Sequence, residues 1–213
     1  CILGLLPAYL ERQHSSLVMM ADTLIKESNH PRSGFYLYDL PELKKILTLL
    51  EADKQPTILL GVTFALLDFA EQYHIDLQHT VVMETGGMKG RREELTRAAM
   101  HSILHGKLGV EQVHSEYGMT ELLSQAYAKQ HGIFATPPWM KVILRAEDDP
   151  FEIVLPDQLK PVSGAINIID LANLYSCSFI ATDDVGKLYA DGHFVVLGRL
   201  DNSDIRGCGL MVV

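Results

Sequence analysis

Positive charge is scarce in this chain: 18 lysines and arginines stand against 27 aspartates and glutamates, for a net charge of -9. No face can carry the surplus of cations that nucleic acid or an anionic membrane surface recruits, which argues against both partner classes. Cysteine is sparse too, with three residues at Cys1, Cys177 and Cys208. None forms a CxxC pair, and an odd count does not make a disulfide framework, so a reducing cytoplasmic setting is expected. No apolar run is long enough to span a bilayer. The opening Cys1-Ile-Leu-Gly-Leu-Leu-Pro7 stretch is short and lacks the basic flank of a signal peptide. The chain starts without Met, from which a processed or truncated amino end is expected. Internal repeats and low-complexity segments are absent. What is present is 47% hydrophobic and 21% charged over 213 residues, the composition of one globular domain or of a larger and a smaller one.

Periodicity divides the chain near residue 137. Before it, apolar spacing predicts helices over 8–26, 40–52, 62–73 and 92–104, the second opened by Asp39 as N-cap with Pro41 just inside. Short buried strands are expected at Thr57-Ile-Leu-Leu-Gly61 and Thr80-Val-Val-Met83. Strand, glycine turn and helix in alternation indicate an α/β layer with a partly parallel sheet and flanking helices. After Pro137 the pattern becomes short strand-like runs at 139–145, 164–171, 178–182, 194–198 and 209–212, separated by acidic and Gly/Asp turns. This predicts a β-rich, barrel-like subdomain over 138–213 following an α/β portion over 1–137.

Three segments carry candidate chemistry. In Met83-Glu-Thr-Gly-Gly-Met-Lys-Gly90, Gly86 and Gly87 between strand and helix let backbone approach a ligand closely; read for structure alone, this is a βα turn. In His114-Ser-Glu-Tyr-Gly-Met-Thr-Glu121, Tyr117, Gly118, Thr120 and Glu121 place an aromatic face, a hydroxyl and a carboxylate on one turn entering a helix. These groups suit stacking a purine, touching a phosphate and holding a hard cation. The plain alternative is a helix start capped by Thr120. In Ala181-Thr-Asp-Asp-Val-Gly-Lys187, followed by Gly198-Arg199, an Asp can accept ribose hydroxyls and Arg199 can reach the sugar or a phosphate. The alternatives are a turn for Thr-Asp-Asp and a surface ion pair for Arg199. His101 and His105, four apart, have a metal-ligand spacing, but no third ligand follows, so they are read as surface or packing residues. His114 is a possible neighbour of the site.

The order of these segments resembles the adenylate-forming superfamily of acyl-CoA synthetases and their relatives. There a Tyr-Gly-x-Thr-Glu segment precedes a Thr-Gly-Asp segment and then a Gly-Arg pair; here Thr182-Asp183-Asp184 carries Asp in place of the middle Gly. The resemblance implies ATP and Mg2+ as cofactors. Tyr117 matches the adenine-stacking position, Thr120 the phosphate contact, Glu121 the magnesium-linked carboxylate, Asp184 the ribose-binding carboxylate and Arg199 the family arginine. Gly86, Gly87 and Met88 would wall the adenine. Tyr9-Leu-Glu-Arg12, Gly34-Phe-Tyr-Leu-Tyr-Asp39, Leu60-Gly-Val-Thr-Phe-Ala-Leu-Leu67, Glu84-Thr-Gly-Gly-Met-Lys-Gly-Arg91 and Ile205-Arg-Gly-Cys208 are similar to the acyl-protein synthetase branch over nearly the whole chain. In that branch a fatty carboxylate is activated by ATP and the acyl group moves to a cysteine near the carboxyl end, where Cys208 stands.

A thiolate is the nucleophile such a transfer needs, and Arg206, two residues away, would lower the Cys208 pKa; a Cys in a terminal strand is otherwise a small core residue. Cys177 reads as structural. The helix carrying Val62, Phe64 and Leu67 either lines an acyl tunnel or is core. The superfamily's Ser/Thr/Gly-rich phosphate loop is absent from these residues, as is its small lid domain with a catalytic lysine. The missing loop fits truncation at the amino end, in which case the chain alone would be inactive. Two alternatives stand beside the acyl-protein synthetase. One is a coenzyme A ligase of the phenylacetate type; the other is a non-catalytic fragment that binds an acyl reductase or carrier partner.

Overall fold

The computed structural model describes residues 1–6, 15–37, 39–86, 95–156 and 158–200. Two compact units are formed, one from Cys1–Glu93 with Ala98–His114 and the other from Glu94–Arg97 with Ser115–Val213. The continuous run of the second unit thus begins at Ser115. The physical reason is that the segment following His114 pairs antiparallel with the strands beyond it.

In the first unit, strands β1 (Ile2–Leu5), β2 (Gly34–Phe35), β3 (Thr57–Val62) and β4 (Thr80–Thr85) lie in the order β2-β1-β3-β4. Every pairing is parallel. A parallel strand flanked by helices is covered on both faces, which explains why Thr57-Ile-Leu-Leu-Gly-Val62 is almost wholly apolar and why five of its six residues are buried. The helices are α1 (Ser16–Glu27), α2 (Leu40–Ala52), α3 (Thr63–Gln72) and α4 (Arg97–Leu108). The capping expected for α2 is present: the Asp39 carboxylate accepts the Glu42 amide at 2.9 Å and Pro41 stands in the first turn. Val62, Phe64 and Leu67 are buried at 0%, 3% and 1% exposure, so they belong to the core of this unit. His105 at the end of α4 contacts the Val110 carbonyl through Nδ1 at 2.6 Å, a packing role.

The second unit is antiparallel throughout. β5 (Val113–Tyr117), β6 (Ala126–Ala128), β7 (Phe134–Ala135), β12 (Phe194–Arg199), β11 (Phe179–Leu188), β10 (Val162–Asp170), β8 (Met140–Arg145) and β9 (Ile153–Val154) follow one another in that order. Inward side chains alternate along these strands. They meet in a core containing Tyr117, Phe134, Leu144, Ile166, Ile168, Leu188 and Phe194. Phe134 and Phe194 stack with centroids 5.4 Å apart. β11 bends at a bulge between Val185 and Gly186. A Cβ at Gly186 would stand 2.6 Å from the Val195 carbonyl oxygen, so only glycine fits the close approach of β12.

Two readings are corrected here. The segment after Tyr117 does not enter a helix: residues 118–125 form a turn that leads into β6. The burial of Leu122, Ser124, Ala126 and Ala128 shows a two-residue period. Thr182-Asp183-Asp184 is likewise not a turn but the interior of β11. Among the described residues, no helix is long and apolar enough to cross a membrane.

The buried aromatic layer yields a stability prediction. Phe194, with 0% exposure, truncated to Ala should cost about 3–5 kcal/mol in urea unfolding. Phe151→Ala, at 92% exposure, should stay within about 0.5 kcal/mol of the parent. Equal losses would contradict the described core.

Candidate functional site

Three residues distant in sequence meet in the second unit. Tyr117 ends β5, Asp184 lies in β11 beside the bulge, and Arg199 ends β12. The Tyr117 hydroxyl donates to Asp184 Oδ2 at 2.7 Å. Asp184 and Arg199 are register partners across β11 and β12. Arg199 Nη2 donates to Asp183 Oδ2 at 3.1 Å, the ion pair that its alternative reading anticipated.

Tyr117 differs from the open aromatic face expected of it. Its ring is 8% exposed and packs against Phe134 and Phe194 at centroid distances of 5.8 and 5.5 Å. The phenol is thus rooted in the core and offers its polar end to Asp184.

Asp184 is itself buried, at 4% exposure. Burial pushes its carboxyl above the ordinary aspartate range; the Tyr117 hydroxyl and the Arg199 charge pull against this, and the neighbouring Asp183 adds to the rise. Two groups fix its strand, Thr182 of the Thr-Asp-Asp segment and Arg145, which the sequence reading did not single out. Thr182 Oγ1 donates to the Ile166 carbonyl at 2.8 Å and accepts the Asp184 amide at 3.1 Å. Arg145, also buried, donates to the carbonyls of Ile166 and Thr182 and to Asn167 Oδ1. A guanidinium satisfied by three strand acceptors pins β8, β10 and β11 to one another and so sets the position of Asp184.

Thr120 and Glu121 are exposed on the turn after Gly118, with their side chains toward solvent. Among the described residues, no hydrogen bond or ion pair joins their side chains to Asp184. What holds them is backbone. The Glu121 carbonyl accepts from Asn173 Nδ2 at 2.8 Å. Asp170, fully buried, accepts the amides of Leu123 and Ser124 at 3.0 and 2.9 Å, the Ser124 hydroxyl at 2.7 Å and the Ala172 amide at 3.1 Å. Burial alone would raise the Asp170 carboxyl; the bonds from Ser124, Ala172 and Leu123 outweigh it and hold the group below the ordinary aspartate range. A buried Asp closing a strand, followed three residues later by Asn, was the available signal for this network, and sequence reasoning missed it.

In the first unit Gly86 follows β4 with φ 70°, a left-handed conformation that favours glycine. Its carbonyl accepts from Thr63 Oγ1 at 2.7 Å, and the same hydroxyl lies 3.4 Å from buried Glu84 Oε2. His101 Nε2 is 3.8 Å from Glu84 Oε1, a packing position against β4. Gly87, Met88 and Cys208 lie outside the described residues. Among the described residues no group of three or more His, Cys, Asp or Glu is arranged to hold a metal.

No protein-family model matches this chain, and no curated protein does. Solved structures do match it. ATP-bound MatB from Rhodopseudomonas palustris superposes with a TM-score of 0.64 at 18% identity, over 93% of this chain and 40% of that one. Coronafacic acid ligase from Pectobacterium brasiliense gives 0.56 at 17% identity, over 93% and 39%. The O-succinylbenzoate coenzyme A synthetase MenE from Bacillus subtilis, in complex with AMP, gives 0.51 at 18%, over 76% and 35%. At such identities the likeness is one of fold: a mixed α/β fold of the adenylate-forming enzyme type. The chain spans about 40% of the length of the structures it matches first.

The two buried carboxylates predict opposite pH behaviour. A raised folded pKa makes the Asp184 contribution to stability complete below the unfolded value of roughly 3.9 and lost as pH rises through the folded value. Asp184→Asn should therefore melt higher than the parent at pH 7.5, with the gap closing toward pH 4. A lowered folded pKa makes the Asp170 contribution present above roughly 3.9 and lost as pH falls through the folded value. Asp170→Asn should melt lower than the parent at pH 7.5, and its deficit should shrink on acidification. Thermal melts of both variants across pH 4–8 check the signs.

Proposed function

We propose that this chain is the nucleotide-binding portion of an ATP-dependent acid–thiol ligase that activates a fatty or other small carboxylic acid and passes the acyl group to a protein thiol. The observation that carries this reading is the Tyr117–Asp184–Arg199 cluster, assembled from the ends of β5 and β12 and the middle of β11 on the fold of ligases. Asp184 Oδ2 takes the Tyr117 hydroxyl, and among the described residues Oδ1 has no donor, which fits a carboxylate reserved for a ribose hydroxyl. Tyr117 acts here chiefly by holding Asp184. Arg199, partly exposed beside it and paired with Asp183, would turn its guanidinium to sugar or phosphate by exchanging that partner.

In the first step a carboxylate oxygen of the acid attacks the α-phosphorus of ATP, forming acyl adenylate and breaking the bond to pyrophosphate. Thr120 would contact the phosphate and Glu121 would hold Mg2+, which when bound would neutralise the charge that develops there. In the second step the Cys208 thiolate attacks the acyl carbon, forming the thioester and expelling AMP. An acyl reductase or carrier is the natural recipient of that thioester.

A second reading has its own support, since one of the similar structures is a coenzyme A synthetase. There the acceptor thiol is coenzyme A and Cys208 has no chemical role.

The test uses the polypeptide carrying these residues, with ATP–pyrophosphate exchange measured across a panel of carboxylic acids. Asp184→Ala should lower acid-dependent exchange by on the order of a hundredfold. Cys208→Ala should leave exchange intact and abolish acyl labelling of the protein without coenzyme A. Product formation only with added coenzyme A, unchanged in Cys208→Ala, would establish the second reading instead. Acid-independent exchange, unaffected by Asp184→Ala, would remove both and leave a binding fragment.

A further inference from the structure

The turn that carries Thr120 and Glu121 is exposed, lacks helix or strand hydrogen bonding of its own, and includes Gly118, yet the proposed chemistry requires its side chains at a defined place. Its backbone is held by one bond of its own, from the Leu122 amide to the Met119 carbonyl at 3.1 Å, and by a network at the end of β10. Asp170 closes β10 and receives four hydrogen bonds, three of them from Leu123 and Ser124 immediately past Glu121. Asn173, itself buried, reaches the turn at Glu121, where Nδ2 donates to the carbonyl at 2.8 Å, and donates again to the Cys177 carbonyl at 2.9 Å. Its Oδ1 accepts from Ser176, so the amide is clamped at both ends and cannot flip without breaking all three bonds. The Trp139 indole N–H closes the network by donating to Ser124 Oγ at 2.9 Å.

This is more than one turn needs for stability. The buried Ser124 amide needs an acceptor, but the Glu121 carbonyl belongs to an exposed residue, so the buried Asn173 amide committed to it serves position. The Asp170 carboxylate is also held ionised by these bonds, which keeps it an acceptor on all four contacts.

Resting on the reading of Glu121 as the Mg2+ carboxylate, we propose that Asp170 and Asn173 are positioning residues that fix the Thr120–Glu121 turn for the metal–nucleotide complex. They touch neither ligand. Their effect falls on the Mg2+-dependent part of nucleotide binding and leaves the contribution of Asp184 and Arg199 alone, because those two stand on β11 and β12, outside this network.

The experiment is calorimetric titration with ATP in Mg2+ and again in EDTA, on the polypeptide carrying these residues. Asn173→Asp removes the donors to the Glu121 and Cys177 carbonyls, and Asp170→Asn is a second variant should the first not fold. Both should weaken the Mg2+ enhancement of ATP binding by roughly 10–100-fold, the range for residues that orient metal ligands, while affinity in EDTA is unchanged. Amide exchange at Leu123 and Ser124 should accelerate. Emission from Trp139, the one tryptophan of the chain, should respond to Mg2+ and ATP in the parent and lose that response in the variants. Val142→Ala, a core variant with a comparable loss of melting temperature, should keep the full enhancement. Variants that melt lower but retain the parent's Mg2+ enhancement overturn the proposal and make the network purely structural. A parent that binds no ATP in either buffer overturns the nucleotide reading itself, and this proposal with it.

Discussion

A carboxylate taken out of water must be compensated, and Asp184 is compensated by one phenol and one strand neighbour. Tyr117 reaches it from β5 while Arg199 stands opposite on β12, so the two edges of the aromatic core are tied to the same acid. The cost of burial is only partly repaid, since the carboxyl stays above its ordinary range. An acid kept reluctant to ionise by burial, and supported on a rigid sheet, is the kind of group that functional sites retain at the expense of stability.

The remainder of the second unit can be understood as support for that placement. Arg145 fastens β8, β10 and β11 together through carbonyls and one side-chain amide, and Thr182 fixes the backbone one residue from Asp183. Gly186 allows β12 to approach closely enough to set Arg199 in register with Asp184. Each of these is a local requirement of antiparallel pairing, yet all act on the same few ångströms of β11.

The two carboxylates of this unit show how environment decides role. Asp184 has one side-chain donor and sits near a like charge, so burial dominates. Asp170 has four donors, so hydrogen bonding dominates. Residue type is identical; the balance of burial against aligned donors separates them. The second organises backbone.

The sequence by itself determined the elements that depend on local chemistry. The α2 cap at Asp39, the buried strands at 57–61 and 80–83, the glycine turn at Gly86 and the β-rich run after 137 all follow from spacing and residue type. So did the selection of Tyr117, Asp184 and Arg199, through the order of the motifs. Tertiary structure decided the rest. The turn after Gly118 continues into a strand because Leu122, Ser124, Ala126 and Ala128 face a core that local helix signals do not register. The boundary lies after His114 because distant strands pair with residues 115–117 and 126–135. Arg145, Asp170 and Asn173 carry no motif, and their roles exist only where chain segments far apart in sequence supply the donors and acceptors that buried polar groups require.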